Sequence, residues 1–456
     1  MNILILVAVL GVVSLFAGLS ESLRKQTRTI IISGLVAITG ITLFTWNAPQ
    51  YFENMIDFDK YAAVFTAVIL VISTLVFILS KDQFSFDESH TGDYYGIMLF
   101  TVAGAIMMVS FSNLTVLFIG IETLSVSLYT LAGSRKNDLK SSEAALKYFI
   151  LGAFATGFLL FGIALIYGAT GTFNVNAIAQ YVHNTPQLPI IFYGGVTLIM
   201  IGLLFKVSAA PFHFWAPDVY EGSPNVVTSF MSTAVKVTAF AAFYRLFSRA
   251  FADVNQSWDT TLIIAIALTL LIGNFTALAQ TGLKRLLAYS GIANAGYMLL
   301  AVLALKNDAS SALLYYAVAY SAASLGAFAV LMLLSEDGKA FHIDSLKGLS
   351  KSNPVLAVLF TIIMLSMAGI PPMAGFFAKY MVLSSAIGAG YLGISLLAII
   401  TSLVGIYYYF KVIAAIYSAP AHEVEANSKN NIVIVICAAI TVVIGVYPDL
   451  ILGLLK

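Results

Sequence analysis

The sequence predicts an all-α polytopic membrane protein with about 14 transmembrane helices, two of them broken. Three observations carry that expectation. Hydrophobic residues make up 60% of the 456 and charged residues 10%, where soluble globular chains have roughly 45–50% and about 25%. Mean hydropathy is +0.93. Apolar windows of about 19 residues, long enough to cross a hydrocarbon core, recur along the whole chain.

Taken in order, spans fall near 2–20, 29–46, 61–80, 94–111, 113–132, 143–168, 190–210, 223–247, 260–280, 285–304, 309–334, 353–387, 391–417 and 431–452. The first is followed by Arg24, Lys25 and Arg28 and lacks a small-residue cleavage site, so it reads as a retained span rather than a removed signal peptide. The seventh runs into Pro211. The twelfth is overlong and interrupted by MAGIPPMAG, where Pro371 and Pro372 withdraw backbone donors and Gly369 and Gly375 loosen the helix. Ser223 with Pro224 makes a cap and first-turn pair for the eighth.

Loop charges set the orientation. Thirteen Lys and Arg, among them Arg135, Lys136, Lys140, Lys284, Arg285, Lys339 and Lys429, share the side of the loop after span 1. Five lie opposite: Lys60, Arg245, Arg249, Lys306 and Lys456. The excess places that loop in the cytoplasm and both termini outside it. The longest loops are about 20 residues, so no soluble domain is expected, and any redox cofactor or nucleotide site belongs to another chain. The net charge of +1 gives no case for nucleic acid, and the lone Cys437 excludes disulfides and thiolate clusters. His90, His183, His213, His342 and His422 show no metal-ligand spacing.

The two broken spans sit five apart. Corresponding interrupted helices in two halves point to a transporter built from structural repeats. Spans 4–8 and 9–13 are then two five-helix repeats, inverted because five is odd. The expected division is 1–93, 94–250, 251–418 and 419–456.

Five lysines and a carboxylate lie inside spans. Glu122, in LFIGIETLSVSLYTL, is ten residues from either end of its span and cannot snorkel. Lys206 closes GLLFKVSAAP a turn before Pro211, and a lysine near the bilayer centre is unfavourable by roughly 2.5–3.5 kcal/mol unless burial or a partner offsets it. A Glu122–Lys206 pair can trade a proton when its surroundings change; the plain alternative is a static ion pair. Lys236 lies about three turns into span 8, and Lys379 follows the second break. Lys147 falls within two turns of a helix end and can snorkel on its own, as can Lys411. His213, directly after the first break, either donates to a freed carbonyl or relays protons near neutral pH. Glu122 with Thr123, Ser125 and Ser127 offers oxygens to sodium, but span-interior lysines outnumber carboxylates and argue against a cation cage.

The segments SSEAALKYFILGA, FKVSAAPFHFWAPDVYEGSP, LKRLLAYSGIANAGYML and AGIPPMAGFFAKY resemble the antiporter-like membrane subunits of bacterial respiratory complex I, the proton-translocating NADH–quinone oxidoreductase, and most closely its subunit N type. The resemblance runs over spans 4 to 13. It implies fourteen helices, inverted repeats, broken helices 7 and 12, and a midplane chain of Glu122, Lys147, Lys206, His213, Lys236 and Lys379. It also implies a bacterial inner-membrane location, neighbouring antiporter-like and small membrane subunits as partners, and NADH, FMN, iron–sulfur clusters and quinone held by other subunits. One departure is Asn294, where many relatives carry histidine; a step there would need water or a neighbour such as Tyr297 or Ser290. The chain also stops at Lys456 without the lateral helix of L-type subunits. A cation/proton antiporter subunit of the Mrp type, or a hydrogenase membrane-arm subunit, shares the lysines and breaks. A scaffold whose charges only pair is the non-transport alternative.

Overall fold

Apolar runs free of breakers form long helices, and the breakers fall where helices end. The computed structural model describes residues 2–45, 50–52, 54–81, 83–305, 308–335, 341–419 and 432–455. Lys306, Lys339, Lys429, Lys456 and His422 lie outside them, as do residues 46 and 431 at the edges of predicted spans.

In order, the elements are α1 (Asn2–Leu19), α2 (Glu21–Thr45), the short antiparallel strands β1 (Gln50–Phe52) and β2 (Ile56–Phe58), then α3 (Lys60–Leu79), α4 (Thr91–Ser110), α5 (Leu114–Ala132), α6 (Leu139–Thr170), α7 (Val175–Asn184) and α8 (Ile190–Lys206). After the first break come α9 (Trp215–Gly222), α10 (Asn225–Phe230), a π turn at Met231–Val235, and α11 (Lys236–Ala250). The remainder is α12 (Asn255–Leu278), α13 (Leu283–Ala304), α14 (Ala309–Leu334), α15 (Leu349–Ser352), α16 (Pro354–Ala368), α17 (Ala374–Gly388), α18 (Leu392–Tyr417), α19 (Ile432–Val446) and α20 (Asp449–Leu452). Among the described residues, 11 helices are long and apolar enough to cross a membrane. The shorter α8, α16 and α19 fall in the seventh, twelfth and fourteenth predicted spans.

Several local expectations are corrected. The seventh span stops as a helix at Lys206, four residues before 210, and a turn through Ser208 (φ 61) replaces it. Ser223 does not cap the eighth: Pro224 is its N-cap, and the Ser223 hydroxyl has no partner among the described residues. Gly375 does not loosen its helix, because a Cβ there would lie 1.8 Å from the Ser366 carbonyl oxygen. It is the point where α17 packs against the end of α16. The β1–β2 hairpin and α7 were not read from hydropathy, being too short and polar to register.

The chain forms two compact units, one of Met1–Val207 with Ala234–Thr261, the other of Ser208–Thr233 with Leu262–Leu454. In the first, α4 packs on α1, α3, α5 and α11, and α6 on α5 and α8. In the second, α14 is central, touching α10, α13, α16, α17 and α19. Large apolar side chains such as Phe16, Phe44, Phe154, Leu403 and Tyr407 are exposed, as expected of a surface that meets lipid or neighbouring helices.

Each unit carries the same two-bond latch. In the first, Leu114 N donates to Phe173 O at 2.9 Å and Val175 N to Ser112 O at 2.9 Å, pairing the loop before α5 with the loop before α7. In the second, Leu283 N donates to Phe341 O at 2.9 Å and Ile343 N to Thr281 O at 2.9 Å. The latches join equivalent loops of spans 4–8 and of spans 9–13. They therefore expose an internal repeat that residue identity hides.

The first unit also buries an ionic clamp. Arg245 and Arg249, read from the sequence as loop cations, both lie on α11. The Arg245 side chain is 1% exposed and donates through Nε to Phe111 O at 3.0 Å, through Nη1 to Asp59 at 2.9 Å and through Nη2 to Asp57 O at 2.9 Å. Arg249 donates to Asp57 at 2.7 Å and also binds Asp59. Asp59 caps α3 as well, accepting from Ala62 N at 2.8 Å. On the loop before α4, Asp87 accepts from His90 at 2.7 Å, Ser89 at 2.9 Å and Tyr94 at 3.0 Å. The His90 bond, helped by those from Ser89 and Tyr94, outweighs partial desolvation and holds its carboxyl at about 2, below the ordinary 3.8. A depressed folded value stabilises above the ordinary one and is lost as pH falls through the folded one. We expect Asp87→Asn to flatten stability between pH 3.8 and about 2 in thermal unfolding, by about 1 kcal/mol at this partly solvent-open site.

Candidate functional site

In the first unit, α5 presents Glu122, Ser125 and Tyr129 at i, i+3 and i+7, one face of a helix. Lys206, the last residue of α8, is buried and donates to Ser125 Oγ, while its Nζ lies 6.0 Å from the Tyr129 ring centroid. Ser125 donates in turn to Ile121 O. Glu122 acts on Lys206 through space rather than by contact, and its Oε1 is buried with no hydrogen-bond partner among the described residues. The lysine is thus held by a neutral hydroxyl with a carboxylate nearby, an arrangement in which either charge can change without breaking a direct ion pair.

Thr123, Ser125 and Ser127 do not form a cation cage. Each donates to the carbonyl four residues back on its own helix. Among the described residues no group of three or more His, Cys, Asp or Glu is placed to hold a metal.

Lys236 is buried at the first position of α11, directly after the π turn. Such single-turn widenings shift the register of a helix and are frequent at functional sites. Lys147 is half-exposed on α6, its Nζ 2.6 Å from Glu143 four residues back on the same helix. Glu143 was not singled out from the sequence, although its i, i+4 spacing to Lys147 was the available signal.

In the second unit, His213 is buried after the first break. Its Nδ1 has no hydrogen-bond partner among the described residues, and its ring centroid lies 4.5 Å from that of Phe214. The break's freed Ala210 N–H finds Thr269 Oγ1 at 2.8 Å. Arg285 grips Asp218 at 3.0 Å and Glu221 at 2.8 Å, and Lys284 donates to Ser223 O at 2.6 Å, so two neighbouring cations pin α9.

Lys379 is held by the second break itself. Its Nζ donates to Ala368 O at 2.9 Å and Met367 O at 3.4 Å, the open carbonyls at the C-terminal end of α16. That end carries the negative pole of the helix dipole, which favours a cation. Gly369 closes α16 at φ 83, and a Cβ there would lie 3.1 Å from Lys379 Nζ. Gly369→Ala meets both a left-handed backbone and the lysine. We expect it to destabilise the protein by about 1–3 kcal/mol and to lower any function that depends on Lys379; unaltered melting and activity would contradict this.

The sequence profile of the family described as "NADH:quinone oxidoreductase/Mrp antiporter, TM" matches residues 112–405, which include both breaks and all six candidate residues. The chain belongs to this family. Within it, the full-length likeness is to subunit N: the NADH-quinone oxidoreductase subunit N of Cytophaga hutchinsonii is 42% identical over 99% of both chains. A chain of respiratory complex I from Thermus thermophilus superposes with a TM-score of 0.86 at 34% identity, covering 99% of this chain and 98% of that one. A chain of the Mrp complex from Dietzia sp. also reaches 0.86, covering 100% of this chain and 96% of that one, but at 20% identity it shares the fold alone.

Proposed function

We propose that this chain is the N-type membrane subunit of a proton-translocating NADH–quinone oxidoreductase, and that Glu122, Lys147, Lys206, His213, Lys236 and Lys379 handle the proton. The observation that carries the relay is the placement of Lys206, Lys236 and Lys379 at or beside irregular helix: a helix end, a π turn and a break. Irregular backbone is tolerated at membrane depth where it lines a cavity or is buried in protein. Redox chemistry in other subunits shifts the electrostatics of Glu122 and Lys206, Lys206 gives its proton towards Lys236, and in the second unit Lys379 releases one outside. The likeness to subunit N supports the rest of the reading. NADH, FMN, iron–sulfur clusters and quinone stay with partner subunits, the membrane is the bacterial inner membrane, and both termini face away from the cytoplasm. The paired latches support repeats at 94–250 and 251–418, flanked by 1–93 and 419–456.

The fold is common to Mrp-type subunits, so fold does not separate the two; identity to subunit N does. Purification of the chain from its native membrane tests the assignment. Recovery with a flavin and iron–sulfur arm is the expected result, and recovery with only small membrane partners that lack redox centres would overturn it.

A further inference from the structure

In each unit a lysine of the broken span faces the ring of a tyrosine. In the first, Lys206 Nζ lies 6.0 Å from the Tyr129 ring centroid; in the second, Lys379 Nζ lies 5.3 Å from that of Tyr297. Both distances fall within the reach of about 6 Å over which a ring face attracts a cation. The rings are fixed from behind. Tyr129 stands edge-on to Tyr148 at 4.7 Å and to Phe149 at 5.8 Å, and a Cβ on Gly152 would overlap its hydroxyl, so that end of the ring is packed against α6. Tyr297 is 2% exposed and donates to Ala398 O at 3.3 Å. In both, the hydroxyl end is committed elsewhere and the lysine meets the face. The arrangement belongs to the repeat. Helices α5 and α13 open at the latch donors Leu114 and Leu283, and the two tyrosines stand within one residue of the same distance from them. Lys206 precedes its break and Lys379 follows its own, so the lysines hold unlike positions and yet each faces a ring.

We infer that Tyr129 and Tyr297 are positioning residues of the relay, whose ring faces hold the ammonium forms of Lys206 and Lys379 in place. This rests on the proton-relay reading above. Among the described residues neither lysine touches a carboxylate: Lys206 donates to the Ser125 hydroxyl, and Lys379 to the carbonyls of Met367 and Ala368. Those oxygens satisfy N–H groups, but a charge at membrane depth still needs an offset. The electron-rich face of an aromatic ring supplies one, and more strongly where water is excluded. It attracts the ammonium and has little hold on the neutral amine. A lysine that has given up its proton therefore loosens, and one that regains it is drawn back to the same place. A carboxylate in contact would hold the charge more tightly and compete for the proton; a ring face accepts none.

The test uses the whole complex containing this chain, in proteoliposomes, with the rate of NADH-driven proton translocation read per assembled complex. Tyr129→Leu and Tyr297→Leu keep an apolar side chain and remove the ring face. Each should lower the rate about 3- to 30-fold, the equivalent of one desolvated cation–ring contact. Tyr129→Phe and Tyr297→Phe should recover most of that loss, because the hydroxyl does not face the lysine. Where a leucine variant fails to assemble, phenylalanine bearing one, two and then three ring fluorines at the same position decides. Fluorine drains the face of negative charge with little change of shape, so the rate should fall stepwise, whereas a packing role would leave the series flat. Leucine variants at the parental rate, phenylalanine variants as slow as leucine, or a flat fluorine series overturn the inference. Lys206→Met and Lys379→Met measured alongside separate the two levels: loss there with unaffected ring variants sinks only this inference, whereas no loss there sinks the relay reading beneath it.

Discussion

Lys206→Ala is expected to remove most of the proton transfer assigned to the first unit while the chain still folds and assembles. The substitution deletes the buried cation that faces Glu122 and leaves the Ser125 hydroxyl, already donating to Ile121 O, with an open acceptor site. Ser125 keeps its own carbonyl partner, so the cost to the fold is modest and the cost to chemistry is large. Lys206→Met, which preserves the stem's packing, should behave the same way, because the ammonium rather than the hydrocarbon is what the relay needs. Acidification of inverted membrane vesicles during NADH oxidation checks this, with subunit abundance measured in the same preparation. Full acidification by Lys206→Met would contradict it.

The second large effect is structural. Arg245→Ala leaves Asp57 and Asp59 with only Arg249, which is 29% exposed, and strips the Phe111 carbonyl of its Nε donor. Removing one partner of a buried ion pair typically costs about 3–5 kcal/mol, because the remaining charge is left uncompensated. Arg245→Lys should recover little, since an ammonium cannot serve three acceptors in the planar fork that guanidinium provides. Thermal unfolding in detergent and recovery of the assembled complex should both fall sharply. Arg249→Ala, more open to solvent, should cost only about 1 kcal/mol. Equal melting of the Arg245→Ala and parent proteins would refute the clamp.

Much of this architecture was legible in the sequence, because membrane spans are encoded locally: each needs its own apolar run and satisfies its own backbone. The breaks at Pro211 and at Pro371–Pro372 were legible for the same reason. The unread features depend on approach between distant segments. Asp57 lies in a short strand and Asp59 just after it, and nothing local says that two arginines nearly 190 positions later close on them. The latches join Ser112–Leu114 to Phe173–Val175 and Thr281–Leu283 to Phe341–Ile343 through backbone atoms, so side-chain identity carries almost no trace of them. At the site, Glu122 and Lys206 stood out as charges in apolar sequence, but Ser125 was weighed only as an oxygen for sodium and not as the group that touches Lys206. Its position three residues after Glu122 was the one available signal. Arg245 shows the opposite error: a cation near a span end was assigned to a loop, because charge alone does not reveal a buried partner.

The central claim is that protons move through the buried charges of this chain. Protons translocated per NADH should be counted in proteoliposomes of the intact complex carrying Glu122→Gln, and again with Lys206→Ala. The account predicts a lower ratio in both at normal assembly; an unchanged ratio in both would contradict it.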